Sequence, residues 1–184
     1  GVVREVGEGG QQLGQRCGGR SRHVPVGQLQ HAQLLAHQPT ARLRLARVQH
    51  QRPLGPLGDG GAYSVINYLR ETYPDFQPKR ILDQGCTVGH NTLPFKEAWP
   101  DAEVIGIDIG APVLRYAHAR SESLGSAITF SQQNAEHTEY EDNSFDFVTS
   151  TMFLHETSRK AVHAIVAEGH RILKPGGLML HVEQ

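Results

Sequence analysis

The first 60 residues contain no Phe, Trp or Tyr and no Lys. With so few large apolar side chains to bury, they cannot offset the entropy of being ordered, which excludes a packed core there. They hold eight Arg, three acids, nine Gln and eleven Gly, a balance of +5; because the 184-residue chain carries −1, the other 124 residues carry −6. Two compositions meet near Gly60. We read residues 1–60 as a low-complexity, disordered arm in which only the leucine-containing run from Leu34 to Val48 has the makings of a helix. Its arginines are dispersed and lack interleaved aromatics, so the arm is not expected to bind nucleic acid.

Cysteine is nearly as scarce. Cys17 and Cys86 form neither a C-x-x-C pair nor a disulfide framework, which excludes a disulfide scaffold and a cysteine zinc site and makes a reducing, cytoplasmic setting the expectation. No apolar run is long enough for a signal peptide or a membrane span. The histidines offer no metal: His90, His118, His137, His163, His170 and His181 show no ligand spacing, and His155-Glu156 is followed by Arg159 where a zinc-protease helix needs its second His.

What is present begins at Ala62. Tyr63, Ile66, Tyr68, Leu69 and Tyr73 recur at helical spacing up to Pro74. A strand over Arg80–Asp83 leads to a helix from about Asn91 to Ala98, stopped by Pro100. A second strand, Glu103–Ile107, leads to a helix with Pro112 in its first turn and Gly125 just past its end. Strands three and four are Ile128–Ser131 and Phe145–Ser150. A helix from about Ser158 to Leu173, with Ala161, Val162, Ile165, Val166 and Ile172 on one face, ends at Lys174-Pro175-Gly176-Gly177, and strand five is Leu178–Val182. Strands alternating with helices predict an α/β, doubly wound, mostly parallel Rossmann-like sheet over residues 61–184.

The chemistry concentrates at Ile81-Leu82-Asp83-Gln84-Gly85-Cys86-Thr87-Val88-Gly89-His90-Asn91-Thr92, an apolar strand ending in an acid, then a glycine-broken turn, then a helix. A nucleotide-like cofactor binds at such a junction. A second acid, Asp108, ends the next strand, where such folds hold a ribose. A dinucleotide fingerprint starting at Gly85 would need Gly at 87 and Gly or Ala at 90, and Thr87 and His90 do not meet it. Helix capping is the other reading of the two acids.

These residues, with Val104–Asp108, Asn143-Ser144-Phe145-Asp146-Phe147-Val148 and Arg171-Ile172-Leu173-Lys174-Pro175-Gly176-Gly177 in the same order, resemble the class I S-adenosylmethionine-dependent methyltransferases, in particular the small-molecule branch of the ubiquinone and menaquinone biosynthesis type. The resemblance covers residues from about 62 to 184. It implies S-adenosylmethionine as cofactor, a small-molecule methyl acceptor, and in-line displacement at the sulfonium methyl. It also implies cofactor contacts from Asp83 to the ammonium, Asp108 to the ribose hydroxyls and Ile109 to the adenine face. Asn134 and Ala135 would meet the adenine edge, and Gly85, Cys86, Thr87, Gly89 and Ser150 would form the cradle. Two positions depart from the family pattern: Asn134 stands where an acid is usual, and Thr87 where Gly is common.

Beyond strand four, Ser150-Thr151-Met152-Phe153-Leu154-His155-Glu156-Thr157 falls at the carboxyl end of the sheet. His155 and Glu156 are therefore the candidates for contact with the acceptor or for proton removal; the other reading is that Phe153 and Leu154 line the cofactor pocket while His155 orients the loop. A sheet ending at strand five is expected to leave an open edge, to be covered by a further segment or a partner. A non-catalytic, cofactor-binding relative is the competing functional class.

Overall fold

The computed structural model describes residues 60–183 and the backbone of Arg42–Leu43. The reading of residues 1–60 as a disordered arm lies otherwise outside the described residues. In chain order the elements are β1 (Arg42–Leu43), α1 (Gly60–Thr72), β2 (Arg80–Gln84), α2 (Thr92–Ala98), β3 (Glu103–Asp108), α3 (Ala111–Ser123), β4 (Thr129–Gln132), β5 (Phe145–Thr151), a short 3₁₀ turn (Leu154–Glu156), α4 (Arg159–Ile172) and β6 (Leu173–Val182). Six strands form one sheet in the order β1, β6, β5, β2, β3, β4, and every pairing is parallel.

Alternation along the strands sorts the core into two layers. Ile81, Val104, Phe147, Leu178, Leu180 and Val182 pack with Ala62, Val65, Ile66 and Leu69 of α1 and with Leu93 and Phe95 of α2. Leu82, Ile105, Ile107, Val148 and Met179 pack with Ile165, Val166 and Ile172 of α4. Asp146, beside Phe147, accepts from the N–H groups of Lys79 and Arg80 at 3.0 and 2.8 Å and from Lys174 Nζ at 2.9 Å, tying β5 to the start of β2 and to β6.

Three features depart from expectation. The buried stripe of α1 is Ala62, Val65, Ile66 and Leu69, whereas Tyr63 is exposed and donates its hydroxyl to Glu97 at 2.9 Å. Lys174-Pro175-Gly176-Gly177 does not separate helix from strand: β6 follows α4 directly, with Leu173 opposite Phe145 and Leu178 opposite Phe147, so the four residues bulge out of a continuous strand. The edge beyond β6, expected to be open, carries β1, with Arg42 and Leu43 paired to Leu178 and Met179. Two residues of the run read as helical are thus extended, since sheet pairing outweighs local propensity.

The order of strands places a switch point between β2 and β5, where the chain, having run outward through β3 and β4, returns to the other side of β2. Ligands of open α/β sheets bind at the carboxyl ends of the strands flanking such a point.

Phe147 is the centre of the first layer, with its ring 6.1, 5.7 and 6.5 Å from those of Phe76, Phe95 and Trp99. Replacing Phe147 with Ala is expected to cost about 3–5 kcal/mol of unfolding free energy, measured by urea titration with far-UV circular dichroism.

Candidate active site

β2 delivers Asp83 and Gln84, both buried, to the switch point. Asp83 accepts a hydrogen bond from the Thr92 hydroxyl of α2 at 2.6 Å. Burial pushes its carboxyl up to about 7; the Thr92 bond opposes the shift and the nearby Asp108 charge adds to it. A carboxylate held in this state gains most from a cation beside it.

The turn that follows is fastened to β3. Cys86 donates its N–H to the Ile107 carbonyl at 3.0 Å, and Thr87 donates its N–H to Asp108 Oδ2 at the same distance. Asp108 Oδ1 accepts from the Gly110 N–H at 2.8 Å, so one carboxylate latches the two neighbouring strand-to-helix loops. The capping reading of Asp108 is therefore partly met, because Gly110 is the N-cap of α3. Cys86 is buried and its thiol is pushed far up by that burial, which keeps it neutral and unreactive.

Gly85 and Gly89 have φ of +68° and +75°. A Cβ at Gly85 would lie 2.3 Å from the Phe153 ring, and one at Gly89 would lie 3.0 Å from Phe130. The glycines thus admit two aromatic rings as well as the left-handed backbone. Thr87, with φ of +47°, adopts the same region with a β-branched side chain, as Met152 does with a φ of +56° at the end of β5. Strain of this kind gathers at functional sites.

The remaining positions separate into those that face outward and those that do not. Ile109 is 72% exposed at the end of β3. Asn134 is exposed, and its Oδ1 accepts from the Glu136 N–H at 2.9 Å, leaving one lone pair on that oxygen; Ala135 behind it is buried. Ser150 is buried, and its hydroxyl meets His181 Nδ1 at 2.8 Å rather than facing the turn. Burial pushes His181 down to about 4, so its ring is neutral.

His155 and Glu156 lie on the 3₁₀ turn. His155 Nδ1 is 2.6 Å from Glu183 Oε2, and Nε2 is 3.1 Å from Glu156 Oε1. The Glu183 bond, reinforced by both acidic charges, raises the imidazole's pKa. Glu183 also accepts from the N–H groups of Phe153, Leu154 and His155 at 3.1, 2.8 and 3.3 Å.

Sequence reasoning missed Thr92, whose role depends on α2 folding back over β2, and Glu183. The signal for Glu183 was available: it is an acid directly after an apolar strand run, like Asp83 and Asp108. Gln84, the last residue of β2, was also missed; its buried amide has no hydrogen-bond partner among the described residues. Among the described residues no three His, Cys, Asp or Glu side chains converge on a metal-sized site, and no helix is long and apolar enough to cross a membrane.

The profile of the methyltransferase-domain family matches residues 81–177, which span β2, the glycine turn, Asp108 and the bulge of β6 just described. The chain belongs to the S-adenosylmethionine-dependent methyltransferases. A demethylmenaquinone methyltransferase of Thermus thermophilus is 33% identical over 106 residues, covering 58% of this chain and 47% of the relative. A ubiquinone biosynthesis O-methyltransferase of Vibrio cholerae is 29% identical over 113 residues, covering 61% and 44%. A solved methyltransferase structure from Methanosarcina mazei superposes with a TM-score of 0.52 at 32% identity, covering 57% of this chain and 52% of that one. This methyltransferase chain spans about half the length of the curated relatives it matches.

The residues fit the family's cofactor. A buried acid short of donors, an acid at the next strand end with lone pairs to spare, and an exposed apolar side chain beside it are the acceptors and the apolar surface that an ammonium, a ribose and an adenine would need.

The raised carboxyl of Asp83 has a consequence for the free protein. Its contribution to stability is fully present below the usual carboxylate value of 3.8 and is lost as pH rises through about 7. Relative to Asp83→Asn, the wild type should therefore lose stability with rising pH across that window, with a slope on the order of 1.4 kcal/mol per pH unit. Urea titrations of both proteins at several pH values check this, and the difference cancels the opposing titration of His181.

Proposed function

We propose that this chain binds S-adenosylmethionine across the carboxyl ends of β2 and β3 and, in a cytoplasmic setting, transfers its methyl group to a small-molecule acceptor. The domain doing so would be residues 61–184, with Arg42–Leu43 of the 1–60 arm added to its sheet as an edge strand. The observation that carries the reading is Asp108, whose two oxygens are each held by one backbone N–H, from Thr87 and from Gly110, leaving the remaining lone pairs for a pair of vicinal hydroxyls.

When bound, the cofactor supplies an electrophilic methyl on a sulfonium. Around it, Asp83 takes the ammonium, Ile109 offers apolar surface to the base, Asn134 meets its edge with the buried Ala135 behind it, and Gly85, Cys86, Thr87 and Gly89 form the cradle. Ser150 acts from behind the pocket through His181. Phe153 and Leu154 exclude water, which strengthens the charge interactions inside and fixes the alignment that supplies most of the acceleration. Where the acceptor carries a proton, His155 is the group to take it at Nε2, once the exposed Glu156 carboxylate has moved aside. Because the ring accepts the proton in its neutral form, proton removal grows as pH rises, and the Glu183 bond moves that rise above the usual imidazole range. The names of the relatives, a demethylmenaquinone methyltransferase and a ubiquinone biosynthesis O-methyltransferase, support a small-molecule acceptor.

Calorimetric titration of the full chain with S-adenosylmethionine and S-adenosylhomocysteine tests this reading. Binding is expected, and Asp108→Ala, still folded by circular dichroism, should weaken it by at least about tenfold through loss of charge-assisted hydrogen bonds. A folded wild type that binds neither ligand would overturn the proposal. For the base, His155→Ala that retains methyl transfer within about twofold would remove His155 from that role.

A further inference from the structure

We propose that Glu183 is the positioning residue of this site: a single carboxylate at the end of β6 sets both the wall that closes over the glycine turn and the ring orientation of His155. Its use as a device for methyl transfer rests on the function proposed above, but the geometry is a property of the free protein.

The two oxygens divide the work. Oε1 accepts from the N–H groups of Phe153 and Leu154, at 3.1 and 2.8 Å, where the chain enters the 3₁₀ turn. Those N–H groups begin a helical turn that has no side-chain cap of its own, so the carboxylate supplies the missing acceptor from another strand. Oε2 accepts from the His155 N–H at 3.3 Å and faces its Nδ1 at 2.6 Å. The side chain of Glu183 is only 10% exposed, so these contacts are shielded from water.

Both halves lead to the reaction centre. Phe153, placed by Oε1, packs so closely on Gly85 that no Cβ could stand between them. Shifting the start of the 3₁₀ turn would therefore shift the wall of the cradle. His155, placed by Oε2, has Nδ1 committed as a donor, and Nε2, 3.1 Å from the exposed Glu156 carboxylate, becomes the nitrogen for chemistry when that carboxylate moves aside. An imidazole held in one tautomer by a carboxylate on its far nitrogen is the arrangement that makes a histidine an effective proton acceptor. The charged groups facing the ring are Glu183, from β6, and Glu156, from its own turn.

The division between the oxygens makes the two roles separable. Glu183→Gln keeps an acceptor equivalent to Oε1 and replaces Oε2 with an amide donor, which cannot receive the His155 N–H or a proton on Nδ1. Glu183→Ala removes both. Nitrogen NMR of the imidazole rings in the full chain, with His155 assigned by comparison with His155→Gln, should show the Nδ1-protonated pattern at high pH in the wild type. In Glu183→Gln that pattern is expected to change to Nε2-protonated, with the titration midpoint of His155 moving down. Amide exchange at Phe153, Leu154 and His155 should speed up by about tenfold or more in Glu183→Ala, and less in Glu183→Gln.

Identical His155 tautomer and midpoint in the wild type and Glu183→Gln would overturn the proposal. So would unchanged exchange at the three amides in a folded Glu183→Ala; should that variant not fold, the Glu183→Gln comparison decides alone. Because these readouts are taken without cofactor, failure of the wild type to bind S-adenosylhomocysteine would count against the methyltransferase reading and leave the Glu183 result standing.

Discussion

Burying a carboxylate at the end of a central parallel strand costs more than one hydroxyl returns, and the site is arranged around that deficit. Asp83 has Thr92 as its hydrogen-bond partner and a carboxyl held up near neutrality by burial. The acids at two other strand ends are treated differently: Asp108 receives two backbone N–H groups and Glu183 receives three, together with an imidazole. The fold thus spends its free N–H groups on the acids that organise loops and leaves Asp83 short of donors. A cationic group beside Asp83 would supply what is missing.

The parallel sheet is what brings these acids to one edge. Each strand runs in the same direction, so an acid placed directly after an apolar run arrives at the same side of the molecule every time. For that reason the local signal in Ile81-Leu82-Asp83 and Val104–Asp108 was enough to place two thirds of the acidic set from sequence. Four of the five expected strands came within one residue of their observed limits, because a short apolar or β-branched stretch between charged or turn residues leaves little choice. The bulge at Lys174–Gly177 was not legible: proline and glycines normally end an element, and only the pairing of Leu173 with Phe145 on one side and Leu178 with Phe147 on the other makes the strand continuous. Nor could Arg42–Leu43 be found, since two residues carry no periodicity and their strand exists only through β6.

The glycine turn shows the same limit in reverse. Gly85 reads naturally as a place where a ligand approaches the backbone, yet its Cβ position is filled by the ring of Phe153, a residue 68 positions later that no local pattern connects to it. The turn is tight because the protein itself occupies the space. Thr87, which narrows the turn, stays in the left-handed region because its N–H is held by Asp108. A strained residue at a cost of about 1–2 kcal/mol persists only where surrounding bonds over-determine it, and here the bond that does so belongs to the acid expected to hold the ribose. Strain and binding geometry are therefore set by one carboxylate.

In a transfer that neutralises a sulfonium, charge near the methyl disappears on the way to the product, so acids close to it would favour the starting state. Asp83, Asp108 and Glu183 lie instead at strand ends, where Asp108 and Glu183 hold the loops. Nearest the expected acceptor side are the half-buried Phe153 and Leu154, the exposed Glu156, and one histidine whose far nitrogen is already engaged. What remains for the chemistry is alignment, and alignment here depends on how firmly the segment after β5 is held against β6. That segment begins with Met152 in a left-handed conformation, its N–H bonded to the Val182 carbonyl at 2.7 Å, and continues on the Glu183 carboxylate. The end of β6 is therefore as much a part of the site as the glycine turn, and a variant that loosens it should lower transfer more than it lowers cofactor affinity.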